Sequence, residues 1–293
     1  MPQNFYELLW IFIIYAFIGW CTEVGYAALD TGKFVNRGFL NGSYCPIYGC
    51  GIVIVVAVLT PLKENFIILF IGSFLLTSIL EFVTGFLLEK IFHDKWWDYS
   101  NFPFNIKGYV CLKFSIYWGL ACTFVMDIVH PIIYKFITMI PHILGIVMIT
   151  IFIGVFAVDF VITVSTILKF NKRLRAMDDI AKRIHKISDE IGEKVYENVT
   201  EADEKHKEHQ LELKENLMEL SSEISYKKEQ ISEEREKKKQ EREELLTKYK
   251  ELMEHRNLVT RRLLKAFPNM KSRNQNETLQ KYREYLASRK KNK

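Results

Sequence analysis

Five apolar runs fill most of the first 170 residues, at roughly 5–27, 46–61, 66–89, 110–137 and 143–168. Most reach the roughly 20 residues that a helix needs to cross about 30 Å of hydrocarbon. The chain is therefore expected to be all-α, opening with a polytopic bundle of about five transmembrane helices. The second run is short, and Pro46, Gly49 and Gly51 interrupt its start. It reads either as a full span with a distorted entry or as a partly re-entrant segment, and the full span is the expectation. Residues 1–4 carry no basic region and no cleavage pattern follows, so the first run reads as an anchor and not as a signal peptide.

Charge divides the chain at the same place. Of 40 Lys and Arg and 35 Asp and Glu, nine basic and ten acidic residues fall in 1–170, which leaves 31 and 25 for 171–293. The expected organisation is a transmembrane domain over 1–170, a charged coiled-coil helix or hairpin over 171–266, and a loosely ordered basic extension over 267–293. Basic residues collect on the cytoplasmic side of membrane spans. Lys169, Lys172, Arg173 and Arg175 follow the last run, and placing them inside also places Lys33, Arg37, Lys90, Lys95 and Lys107 inside. Only Lys63 and Lys135 remain outside. The expected topology is N-terminus out and C-terminus in, multi-pass in the cell (plasma) membrane, with a cytoplasmic tail.

In this topology the intramembrane acids do not scatter. Glu81, Gly85 and Glu89 recur at four-residue steps and share one helix stripe. Glu23 falls near the inner end of the first span, and Asp159 lies about 15 Å before the inner boundary at Lys169. A carboxylate in hydrocarbon costs about 3 kcal/mol or more, so each acid should face protein or a wet cavity. Two loops close the same end, one with Asn36 and Arg37, the other with Trp97, Asp98, Tyr99 and Asn105. The pattern predicts a polar cavity open to the cytosol, lined by Glu23, Arg37, Glu81, Glu89, Asp98, Asn105 and Asp159. Trp97, Tyr99, Asn36 and Tyr48 would form a structural inner cap. No residue is assigned a catalytic role.

A plainer account is that such groups pair and hold the bundle together, Glu81 with Lys113 for example. Trp96 and Trp97 would then belong to an interfacial aromatic belt. Four acids at one end, beside an arginine loop and an aromatic, acidic loop, favour the cavity. Asp127 and His130 stand apart and read as an interfacial pair at the opposite end. Five cysteines give no disulfide framework, and Cys21, Cys45, Cys50 and Cys111 would all sit near the reducing side. Cys45 and Cys50 lack the paired spacing of zinc or iron–sulfur sites and no histidine joins them, so neither metal nor cofactor is expected. Gly38, Gly42, Gly49 and Gly51 could line a phosphate site with Arg37. The chain, however, contains no G-x-x-x-x-G-K-[ST], G-x-S-x-G or H-E-x-x-H. An enzymatic role is accordingly the less favoured one.

Several motifs occur in order: Gly19-Trp20 with Glu23, then 35–40 as VNRGFL, then 46–51 as PIYGCG. Glu81-Phe82 with Thr84-Gly85, Leu88-Glu89-Lys90, 97–100 as WDYS, Asn105 with Gly108, Cys111-Leu112 and Trp118-Gly119 follow. Over about residues 5–165 the chain resembles the bacterial ABC transporter permease family of CmpB type. The resemblance implies an integral plasma-membrane protein with a permease-like domain, and no substrate. The tail matches no part of it and reads as an added module.

In that tail Ile180, Ile184, Ile187 and Ile191 step by three and four. The pattern resumes at Leu213, Leu217, Leu220, Ile224 and Ile231, and again through Leu245, Tyr249 and Leu252. This is a coiled-coil seam with gaps. Thr200 with Asp203 reads as a capping box. Breaks near Val199 or Ser232 would allow a hairpin. Self-association or docking of a cytosolic partner is the expected use, and a solvated single helix laced with charge pairs is the alternative. Acids are interspersed nearly one for one with bases, which argues against nucleic acid.

The favoured function is a membrane transport component with Glu81 as central ligand or proton carrier. Its partners would be the lipid bilayer and a separate ATPase or other cytosolic protein. The alternatives are a coiled-coil membrane scaffold or sensor, and an intramembrane enzyme acting on a lipid-linked substrate.

Overall fold

The computed structural model describes residues 4–208, 217–255 and 257–291. Among the described residues four helices are long and apolar enough to cross a membrane, Phe5–Thr31, Phe66–Phe92, Leu112–Met139 and the part of a longer helix within His142–Glu193. Local chemistry sets their ends. Asn4 caps α1 (Phe5–Thr31) by accepting from the Glu7 amide, and Gly32 ends it in the left-handed region. Asn65 caps α3 (Phe66–Phe92) through the amides of Ile67 and Ile68, and His93 closes it at φ 60°. The second apolar run forms α2 (Pro46–Leu59), extended by a 3-10 turn to Leu62. Its 14 helical residues cover only about 21 Å, so α2 is shorter than its four neighbours.

The third long helix is continuous but not uniform. α4 (Leu112–Phe124) passes through a π-helical turn, Val125–Val129, into α5 (His130–Met139). Pro131 lacks an amide hydrogen, and the π turn just before it absorbs the missing bond. Asp127 and His130 separate here. Asp127 is exposed, whereas His130 is buried with Nδ1 at 3.4 Å from the Tyr15 hydroxyl, so the two face different surroundings. The bundle core draws on every spanning helix, with Ile11 and Tyr15, Val55 and Val56, Leu69, Met126 and Ile149 buried together. Outward, Ile67, Ile71, Leu75 and Ile79 of α3 expose one apolar stripe, as a lipid-facing surface does.

The chain forms two compact units, Met1–Asn171 with Arg256–Leu279, and Lys172–His255 with Gln280–Lys293. In the first unit the segments 32–45 and 93–111 close one end of the bundle, here termed the loop end. Short strands β2 (Asn105–Ile106) and β3 (Val110–Cys111) pair antiparallel, Asn105 opposite Cys111. Strand β1 (Asp94–Lys95) pairs instead with β4 (Lys271–Ser272), which follows α8 (Leu258–Ala266). Asp94, 2% exposed, accepts from Asn171 Nδ2 at 2.8 Å. Trp96 meets Phe267 edge-on at 4.8 Å between centroids. The space lined by Trp96, Phe170, Leu263, Leu264 and Met270 holds about 10 Å³, no more than a single water needs.

In the second unit α6 (His142–Glu208), from Lys172 onward, lies antiparallel to α7 (Leu217–Glu254). Arg173 donates to His255 at 2.8 Å, Arg183 meets Glu241 at 3.5 Å, and Lys238 meets Glu190 at 2.7 Å. Met177, Ile180 and Ile187 are buried along this pair. α9 (Asn276–Lys291) contributes Tyr282, whose ring lies 4.9 Å from the Arg173 guanidinium. The capping signal at Thr200 and Asp203 starts no helix, because α6 runs through Val199 to Glu208. α7 likewise passes Ser232 unbroken. Glu and Lys dominate both stretches, and their helix propensity outweighs one local cap. Leu213 lies outside the described residues.

Candidate functional site

The second loop is built around Tyr99. Asp98 accepts from the Ser100 amide at 3.1 Å and its hydroxyl at 2.5 Å, which turns the chain. Asn105 closes the far side, donating to Phe102 O at 2.8 Å and accepting from the Gly108 amide at 3.1 Å. Gly108 sits at φ 73° with the Asp98 carboxylate against it, a place only glycine fills without strain. Trp97 Nε1 donates to Tyr109 O at 2.9 Å, and the Tyr99 amide donates to Gly108 O at 2.8 Å. The Tyr99 ring stacks on Phe114, centroids 4.8 Å apart. So fixed, its hydroxyl donates to Glu81 Oε1 at 3.2 Å.

Glu81 is 8% exposed, and its second oxygen, Oε2, is buried with no hydrogen-bond partner. Lys113 does not supply one. Its ammonium lies over the rings of Phe102 and Tyr117, at 5.7 and 6.0 Å. Burial, and then the charges of Glu81 and Glu23, push the Tyr99 phenol above its ordinary range, so it stays a donor. Two helical turns on, Glu89 accepts from the Tyr109 hydroxyl at 2.7 Å. Burial and this bond raise the phenol to about 12.

Glu23 forms the second acidic station. Tyr48 donates to its Oε1 at 2.7 Å, and Arg37 Nε stands 3.3 Å from Oε2 while its guanidinium rests over the Tyr26 ring. Gly19 makes the approach possible, since a Cβ there would enter the Tyr48 ring. Tyr48 also meets Trp118 edge-on. The charge of Glu23 reaches both Tyr99 and Cys45, which places the two acids in one electrostatic neighbourhood. Burial first, then Glu23, raises the Cys45 thiol to about 12, so it remains protonated. Among the described residues no group of three or more His, Cys, Asp or Glu is arranged to hold a metal ion.

Asp159 does something different. Its Oδ1 accepts from the Asn41 amide at 3.1 Å, Asn41 Nδ2 at 2.8 Å and Thr163 at 3.1 Å. Its Oδ2 accepts from the Gly42 amide at 2.7 Å and the Tyr44 hydroxyl at 2.8 Å. It therefore holds the first loop on α6. Asn36 braces the same loop, accepting from Trp20 Nε1 and the Gly38 amide and donating to Asn41 O. The loop in turn presents three acceptors to Arg262 of α8. Its Nη1 donates to Gly38 O at 2.7 Å, Nη2 to Phe39 O at 2.9 Å, and Nε to Asn41 Oδ1 at 3.0 Å.

Of the eleven residues singled out by the sequence, Glu23, Arg37, Tyr48, Tyr99 and Glu81 form one neighbourhood. Trp97, Asp98 and Asn105 shape the loop beneath Tyr99, and Asn36 and Asp159 shape the other loop. Glu89 stands to the side with Tyr109. The sequence reading missed Arg262, Lys271 and Tyr44. A run of basic residues in an added tail gives no signal that one of them returns to the first loop.

A family model described as "putative ABC-transporter type IV" matches residues 10–164, just over half of the chain. The chain belongs to this family. It is thus a membrane protein, an ABC-type transport component by the family's description. The matched span holds the acids from Glu23 to Asp159 and ends before α8, so Arg262 lies outside it. No solved structure matches the chain significantly.

Proposed function

We propose that this ABC-type transport component handles a polar solute or ion at Glu81, in a cavity that opens at the loop end toward the cytoplasm. The observation that carries the reading is the bare Glu81 Oε2, buried beside an oxygen that Tyr99 already holds. A buried polar atom without a partner costs about 1–3 kcal/mol, more when charged. An ionised carboxylate only accepts, so whatever completes it is a proton, another cation or a hydrogen-bond donor. Glu23 and Arg37, joined to the same neighbourhood through Tyr48, are the second station. Glu89, Asp98, Asn105 and Asp159 line or shape the surrounding wall, under the cap of Trp97, Tyr99, Asn36 and Tyr48.

The basic loops 33–37 and 90–107, with Lys169 and its neighbours, support the cytoplasmic orientation of this end and of the tail. A separate ATPase would supply the energy that no motif in this chain provides. The α6–α7 pair is the surface for a cytosolic partner or for self-association.

The test is flux in reconstituted vesicles, with and without a co-expressed ATPase, for protons, Na⁺, K⁺ and ammonium. Wild type and Glu81→Gln are compared at equal insertion. The expected result is a flux that falls at least about tenfold in the variant. Equal flux through both proteins overturns the reading.

A further inference from the structure

We infer that the loop end carries an arginine-reading docking site, which the chain fills with its own residues 257–279, and that this segment clamps shut the two loops that hold Glu23 and Glu81. The inference rests on the transport reading only for what the closure controls.

The site is built before Arg262 enters it. Asp159 and Asn36 fix loop 36–44 so that Gly38 O, Phe39 O and Asn41 Oδ1 converge. Three acceptors suit the planar fork of a guanidinium, whose geometry a lysine cannot copy. Burial lowers the Arg262 pKa, and the charge of Asp159 behind Asn41 opposes the shift, so the guanidinium stays charged. Asn257 caps α8 through the amides of Val259 and Thr260, and thereby aims the helix that carries Arg262.

The second grip is on the other loop. β4 adds to the free edge of β1, the Arg273 amide donates to His93 O at 2.9 Å, and Lys271 Nζ lies 2.8 Å from Asp98 Oδ2. Strand addition supplies backbone bonds and pockets supply specificity. Here Trp96 and Phe267 make the apolar contact.

Each grip sits next to an acid. Loop 36–44 leads through Cys45 into Tyr48, which holds Glu23. Asp98 immediately precedes Tyr99, which holds Glu81. One segment thus bridges the two loops from outside. With both grips made, loops and acids are held in a single arrangement. With both released, Tyr99 is free to leave Glu81 and open its bare oxygen to the solvent at that end.

The test uses the full chain in nanodiscs, as wild type, Arg262→Ala, Arg262→Lys and Lys271→Ala. Amide hydrogen exchange is read at Arg273, Asn41 and Gly42, and labelling of Glu81 by dicyclohexylcarbodiimide is read by mass spectrometry. Arg262→Ala is expected to speed exchange at these amides about tenfold and to raise Glu81 labelling several-fold. Arg262→Lys should fall between it and wild type. Lys271→Ala removes an exposed ammonium and keeps the test alive if Arg262→Ala fails to fold; it should raise exchange at Arg273 about threefold. Unchanged exchange and labelling in these variants overturn the clamp, as does looser exchange with unchanged Glu81 labelling. Labelling needs no transported species, so the clamp stands or falls independently of the flux measurement.

Discussion

Asp159 and Glu81 are both carboxylates on long apolar helices, and their surroundings are opposite. Asp159 accepts five hydrogen bonds, two of them from backbone amides. Glu81 accepts one, from Tyr99, and keeps an oxygen bare. The contrast separates an acid saturated with donors from one whose second oxygen has no hydrogen-bond partner, the acid proposed above as the ligand site. A charge buried among enough donors is a fastener, and removing it strands those donors. A carboxyl buried with too few donors is a cost to the fold, which is why Glu81 is the group proposed above to meet a ligand.

The widest gap between the two should appear on truncation. Asp159→Ala strands the amides of Asn41 and Gly42 and releases the loop that receives Arg262. It should cost about 3 kcal/mol, a fall of roughly 10 °C in the thermal midpoint of the detergent-solubilised protein. A fall of under about 2 °C would remove the fastener role. Gly19→Ala probes the region that Glu81 shares with Glu23. The added Cβ meets the Tyr48 ring, so the expected cost is about 2 kcal/mol with Tyr48 displaced from Glu23. Loss of the Tyr48 hydroxyl's protection from solvent, followed by ultraviolet titration, reports the displacement.

The smallest effect belongs to the outer pair, Asp98 with Lys271. Burial raises the Asp98 carboxyl, but Lys271, Ser100 and Lys95 outweigh it and hold it well below the ordinary carboxylate range. A depressed pKa stabilises the folded state above the unfolded value of about 4, and the contribution is lost as pH falls further. Exchange at the Arg273 amide should therefore stay constant from pH 8 to 5, after correction for its intrinsic rate, and rise only below about pH 4. At neutral pH Lys271→Ala should cost about 0.5 kcal/mol, since Lys271 is 56% exposed. That difference should shrink in acid. A wild-type protein that loosens between pH 7 and 6 would contradict this assignment.

Much of the membrane half is legible in the sequence. The apolar runs give the spanning helices, and the four-residue steps of Glu81 and Gly85 place that stripe on the buried face of α3. The density of turn and hydrogen-bonding residues between Trp97 and Gly108 announces a structured loop. Asp159 was legible as an inward acid, but not as a fastener. Its donors are backbone amides, and which amides converge is set by a loop conformation that periodicity does not encode. The return of α8 and β4 was hidden for a different reason. Arg262 and Asn41 are 221 residues apart, and a charged helix reads the same whether it ends in solvent or against a carbonyl cup. Similarly, Tyr48 and Glu23 belong to different helices, and only the packing at Gly19 brings them together.

The most direct test of the central contrast is the thermal midpoint of Glu81→Gln measured beside Asp159→Ala in the same detergent. An amide at position 81 can still accept from Tyr99, and it replaces a carboxyl whose second oxygen has no hydrogen-bond partner. The midpoint of Glu81→Gln should stay within about 2 °C of wild type or rise, while Asp159→Ala falls by roughly 10 °C. A Glu81→Gln protein that loses as much stability as Asp159→Ala would show that Glu81 is also a fastener, and would contradict the account.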